Sequence, residues 1–73
     1  MNPMNDRLIP ITIIETLQRS GALEFDSLYK AVSKFHGELD ERLFEDYIMD
    51  LEIRGLIRVY NMARGKRRVE LVK

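Results

Sequence analysis

Four cations fall within five residues near the C-terminus: Arg64, Lys66, Arg67 and Arg68, with Arg58 shortly before them. Long cationic side chains at that density suit contact with phosphate or another anion. A charged hairpin that merely discourages strand-to-strand aggregation needs fewer. Gly65 punctuates the cluster, and the flanks Leu56-Ile-Arg-Val-Tyr-Asn61 and Arg67-Arg-Val-Glu-Leu-Val-Lys73 alternate apolar and polar residues. The pattern predicts two strands joined by a turn over Ala63-Arg-Gly-Lys66, Gly65 supplying the positive φ, with the cations at the tip. Alternation puts Arg67 and Arg68 on opposite faces of their strand, so only part of the cluster can meet one ligand. Tyr60, on the outward side of its strand, is the one aromatic placed to stack on or touch a partner.

The cations contrast with what precedes them. Residues 40–55 hold six acidic side chains against Arg42 and Arg54, a net −4, whereas residues 56–73 hold six basic ones against Glu70, a net +5. The chain as a whole is neutral, so its electrostatics are local. The acidic stretch is a helix by its signals. Asp40 is a good N-cap, and Leu39 and Phe44 are spaced as a hydrophobic staple across it. Phe44, Tyr47, Ile48 and Leu51 recur on one face, and Gly55 can take the left-handed conformation that ends the helix. The opposite side carries Arg42, Glu45, Asp46, Met49 and Ile53. Acids there suit a solvated face, or a surface that docks a basic partner. Met49 and Ile53, one turn apart, form a small apolar strip if they stay in water; alternatively Ile53 tucks under the hairpin.

The elements that must position these residues come earlier. Residues 1–8 read as a flexible lead-in and residues 9–73 as one domain. A first helix starts at Pro10, whose missing N–H is harmless in a first turn, and ends at Ser20-Gly21, with Pro10, Ile13, Ile14 and Leu17 on one face. Ala22 to Phe25 is a short extended piece. Asp26 caps a second helix whose Leu28, Ala31, Val32 and Phe35 share a stripe, and Gly37 closes it. Lys30 and Lys34 lie one turn apart off that stripe, ordinary surface residues or a phosphate contact.

Other chemistries find no support. There is no cysteine, and His36 is the only histidine; a zinc or catalytic site needs several converging ligands. His36 reads as a helix C-terminal residue favoured by the dipole. No carboxylate pair and no glycine-rich phosphate loop is present. The expectation is a non-enzyme with no cofactor and no metal. No apolar run is long enough to span a bilayer, and the N-terminus lacks a signal peptide's apolar core. A cytoplasmic protein with no membrane partner is expected.

Helix, short strand, helix, tight turn, helix, then a basic-tipped hairpin: from Ile9 to Lys73 the chain resembles the winged-helix family, a helix-turn-helix variant. The most specific piece is Leu51-Glu-Ile-Arg-Gly-Leu-Ile57, similar to the family's junction between helix three and the wing, and the likeness is to small prokaryotic, especially archaeal, regulator domains. The resemblance implies an α+β fold, mainly α, with three helices and a two- or three-stranded antiparallel sheet. It also implies a transcription-associated DNA binder whose third helix reads bases and whose wing, Asn61 to Arg68, touches backbone. Its nucleic-acid contacts would be Arg64, Lys66, Arg67, Arg68 and Arg58, with Lys30 and Lys34 on helix two and Arg42 as the one donor suited to guanine on helix three. The acids of helix three depart from the DNA-reading pattern. The alternative is therefore a protein-interaction winged helix that docks a partner on Glu45, Asp46, Met49 and Ile53. A homodimer would reconcile the two by setting two wings on one duplex.

Overall fold

A computed structural model describes residues 3–73, with side chains from Leu8 onward. It contains α1 (Pro3–Ser20), β1 (Leu23–Glu24), α2 (Phe25–His36), α3 (Glu41–Ile53), β2 (Ile57–Asn61), a single turn of 3₁₀ helix (Ala63–Gly65) and β3 (Arg67–Leu71). The three strands form one antiparallel sheet in the order β1-β3-β2. Three helices with a small antiparallel sheet make the α+β, winged-helix-like layout that the resemblance implied.

The first helix begins well before Pro10. Pro3 occupies the opening position, where a missing N–H costs nothing, and Pro10 lies inside α1. The proline rule was sound but belonged to the other proline. An interior proline removes one ladder bond, and here the buried Ile9, Ile13 and Leu17 offset that loss. Of the expected lead-in, residues 3–8 are helical, and residues 1–2 lie outside the described residues.

The second helix also starts early. Glu24 ends β1 with extended backbone, and Phe25 is already helical, so the N-cap is Glu24 rather than Asp26. Asp26 falls in the first turn, where a carboxylate favours the dipole. This shift puts Phe25 in the core, together with Leu28 and Val32, while Phe35, expected on the buried stripe, is 65% exposed. His36 takes the inward place instead. Its Nε2 lies 2.8 Å from the Thr12 hydroxyl of α1. The same hydroxyl also reaches the Leu8 carbonyl one turn back, at 2.9 Å, so the contact ties the end of α2 to α1.

The third helix follows its signals closely. The Asp40 carboxylate accepts from the Arg42 backbone N–H at 3.0 Å, and Leu39 and Phe44 are both buried across the cap. At the other end Leu56 N–H donates to Leu51 O and Gly55 N–H to Glu52 O, each 3.0 Å. This pair of bonds is the Schellman closure, which requires the left-handed φ of 79° at Gly55. It turns the chain straight into β2.

Helices and sheet meet around Phe44, which is fully buried. Phe25 and Tyr29 both set their rings edge-on to it, with centroids 5.2 Å away. The Tyr29 hydroxyl donates to the Leu39 carbonyl, tying α2 to the entry of α3. From the hairpin, Ile57 and Val69 are fully buried, and Val59 and Leu71 pack against them in part. The inner face of the sheet thus closes the core; its other face carries Arg58, Tyr60, Arg68 and Glu70.

Candidate nucleic-acid interface

The hairpin tip is built by a left-handed pair. Arg64 (φ 65°, ψ 30°) and Gly65 (φ 73°) are consecutive residues with positive φ. These are the central torsions of a type I′ turn, whose twist matches that of the flanking strands. The Gly65 torsion was legible; the Arg64 torsion was not, because arginine is a poor occupant of that position. Lys66 N–H closes the turn onto Ala63 O at 3.4 Å, and Met62 N–H donates to Lys66 O at 2.7 Å. Arg64, Lys66 and Arg68 are all exposed. Lys66 has Glu24 within 3.8 Å, a loose surface pair that contributes little. Arg64 and Arg68 have no ionic partner among the described residues.

Arg67 belongs to a different structure. As alternation required, it points to the inner side of the sheet, opposite to Arg68. Its two terminal nitrogens donate to the two carboxylate oxygens of Glu45 on α3, at 2.9 and 2.8 Å. Its guanidinium carbon lies 3.9 Å from the centroid of the Phe25 ring. A bidentate ion pair laid over an aromatic face is held in place by both the carboxylate and the ring. Arg67 therefore holds β3 to α2 and α3. The bond from Arg67 lowers the Glu45 pKa, against a smaller opposing effect of burial. The Arg67 pKa is correspondingly raised by Glu45.

This clamp changes both sets of sequence-derived candidates. Arg67 leaves the set of ligand-facing cations, and Glu45 leaves the docking face, because its carboxylate is turned toward the hairpin. On α3 the remaining face is as acidic as expected. Asp46 is exposed, and Asp50 pairs with Arg54 one turn on at 3.1 Å. Met49 is 56% and Ile53 78% exposed, so Ile53 does not tuck under the hairpin. The Arg42 side chain is exposed at the start of the helix.

Lys30 and Lys34 are exposed on α2 and border a shallow depression of about 560 Å³ with Ser33 and Leu39. It lies on the α2–α3 side of the molecule, whereas Arg58 and Arg68 project from the outer face of the sheet. Arg58 sits across the strand pair from Glu70. A side-chain hydrogen bond with Tyr60 beside it pushes the Arg58 pKa further up.

Among the described residues, no group of three or more His, Asp or Glu side chains is placed to hold a metal ion, and no helix is long and apolar enough to cross a membrane. Sequence reasoning missed the Glu45–Arg67–Phe25 clamp because nothing local marks a meeting of three separate elements. Comparison with protein-family models, with curated proteins and with solved structures found no match.

Proposed function

We propose that this chain is a nucleic-acid-binding module of the winged-helix type, a transcription-associated DNA binder acting in the cytoplasm mainly through its wing. The observation that carries the reading is the tip itself: Arg64, Lys66 and Arg68 project from one hairpin, with Arg64 in a left-handed conformation that Gly, Asn or Asp would fill more cheaply. Strain at an exposed position is tolerated where the side chain is used. The tip cations would neutralise backbone phosphates of a duplex, with Arg58 behind them and Lys30 and Lys34 reaching backbone from α2. Arg42 is the one side chain of α3 suited to a base edge. The acids of α3 repel phosphate, so the wing rather than that helix supplies most of the attraction, and affinity stays modest and strongly salt-dependent.

Fluorescence anisotropy with mixed-sequence duplex DNA, at low and physiological salt, tests this. The comparison is between the unmodified protein and Arg64→Ala/Lys66→Ala/Arg68→Ala; Arg67 is left intact because it holds the fold. Every phosphate that the protein no longer neutralises lowers the slope of log K against log salt by about 0.9, so the triple variant should flatten it by up to about 3. Salt-insensitive binding, or no binding at low salt, sinks the wing reading. A second reading is favoured by the exposure of Met49 and Ile53. An apolar strip beside Asp46 and Asp50 suits a basic, partly apolar protein partner. Pull-down by the unmodified protein but not by Met49→Ser/Ile53→Ser would support it.

A further inference from the structure

The outer face of the sheet presents an aromatic ring between two guanidinium groups. Tyr60 is 42% exposed and stands directly across β2–β3 from Arg68, while Arg58 lies two residues before it on the same face. The Tyr60 hydroxyl donates to Glu70 Oε1 at 2.9 Å. Glu70 faces Arg58 rather than Tyr60, so that bond makes the phenol lean diagonally over the sheet and holds it there. Met62 lies beyond Tyr60 toward the tip, 43% exposed, and Leu56 and Val72 border the far end, 47% and 37% exposed. Two carboxylates share this face. Glu70 is occupied by the Tyr60 hydroxyl, and Glu24 lies near Lys66. With Lys66 paired to Glu24, the face offers a fixed ring, apolar margins and three cations against two carboxylates.

That combination is poorly matched to a duplex, whose bases are stacked on one another and closed to an outside ring. It is well matched to a strand with unpaired bases. Base–aromatic stacking tolerates any sequence, and arginines beside the ring follow the backbone. We propose that the outer face of the sheet, with Arg58, Tyr60 and Arg68 at its centre, binds single-stranded nucleic acid, one unpaired base stacking on Tyr60 and its flanking phosphates meeting the two arginines. The inference rests on the reading above in that the hairpin cations attract nucleic acid; the tip's contact with a duplex is a separate use of the same hairpin. An open cleft of about 620 Å³ between the end of α1 and the sheet adjoins the platform, sharing Arg58, Glu70 and Val72 with it. It gives the strand a route off the sheet.

The test is fluorescence anisotropy with labelled oligothymidine, oligouridine, an abasic strand and a mixed-sequence duplex. The proteins are the unmodified chain, Tyr60→Phe, Tyr60→Leu and Arg64→Ala/Lys66→Ala, each checked by circular dichroism. Removing the ring with Tyr60→Leu should weaken oligothymidine or oligouridine about tenfold or more, while Tyr60→Phe, which keeps the ring and loses only its tether to Glu70, should weaken it less. The thymidine and uridine arms decide between DNA and RNA. Tyr60→Leu should leave the abasic strand and the duplex unchanged. A second readout needs no variant. The chain has three tyrosines and no tryptophan, so oligothymidine or oligouridine should quench tyrosine fluorescence. Single-strand binding that is indifferent to Tyr60→Leu, or that leaves tyrosine fluorescence unquenched, overturns the inference. If duplex binding in that case still depends on Arg64 and Lys66, the wing reading survives. Tyr60-dependent binding of single strands with no duplex binding does the reverse. No binding of any probe overturns both.

Discussion

Arg67 and Arg68 are adjacent in the chain and opposite in use. Arg67 lies under the sheet, its guanidinium divided between the Glu45 carboxylate and the face of Phe25. Arg68 lies over the sheet, exposed, across from Tyr60 and Glu24. The same division runs the length of the hairpin. Ile57, Val59, Val69 and Leu71 face inward and close the core; Arg58, Tyr60, Arg68 and Glu70 face outward. A two-residue period sorts one amino-acid type into a rivet and a free cation, so a cluster of basic residues in a strand is two populations. Any functional count of its charges must first remove those on the inner face, here Arg67.

Substitutions on the two faces should separate them sharply. The largest effect belongs inside. Ile57→Ala removes a fully buried side chain and should cost about 2–5 kcal/mol in a denaturant titration, enough to threaten a domain of this size. Arg67→Ala comes next. Without the stacking on Phe25 and the half-exposed ion pair, the fold should be destabilised by roughly 1–2 kcal/mol, read as a thermal midpoint lower by several degrees. Arg67→Lys should recover only part of that, because a single ammonium cannot reproduce the fork. If Arg67→Ala were neutral for stability but abolished duplex binding, the assignment of this arginine to the fold would be wrong.

The tip should respond in the opposite direction. Arg64→Asn places a residue that tolerates φ 65° at the apex, and it should raise stability by about 1 kcal/mol while weakening duplex binding. A stability gain without a binding loss would remove the reason for keeping arginine there. Arg68→Ala, on the exposed face, should change stability by no more than about 0.5 kcal/mol and act on binding alone.

The smallest effect is in pH. The Glu45 pKa is held below its ordinary value of 4.5, first by its hydrogen bond from Arg67. Its contribution is therefore complete above about 4.5, the unfolded-state value, and is lost as pH falls through the lower folded-state value. Acid titrations of the unmodified protein and Glu45→Gln should differ in stability above that window and converge below it. The sign is what matters: a Glu45→Gln protein that became relatively less stable toward acid would contradict the clamp.

Local signals were sufficient where one element contained all the physics. The α3 cap at Asp40, the staple of Leu39 on Phe44 and the Gly55 closure need only neighbouring residues, and each is present. The hairpin and its alternation were equally legible. Misreadings came where two local solutions competed. Pro3 and Pro10 both satisfy a helix start, and Glu24 and Asp26 can both precede a helix, so the choice fell to packing: starting at Phe25 buries that ring beside Phe44. Phe35 and His36 are consecutive and point about 100° apart round the helix, and the rotation of α2 against α1 brings His36 to Thr12 and leaves Phe35 exposed.

Alone, then, the sequence of this protein determined which segments become helix and strand, the polarity of charge between α3 and the hairpin, and the alternation that divides the arginines. Those properties depend on periodicity, capping and turn chemistry, all of which act within a few residues. Only the tertiary structure decided that Arg67 is committed to Glu45 and Phe25, that Ile53 stays in water, and that Tyr60 leans on Glu70 between Arg58 and Arg68. Each of those facts needs side chains from separate elements brought together by burial of a shared core, and no local pattern encodes that distance.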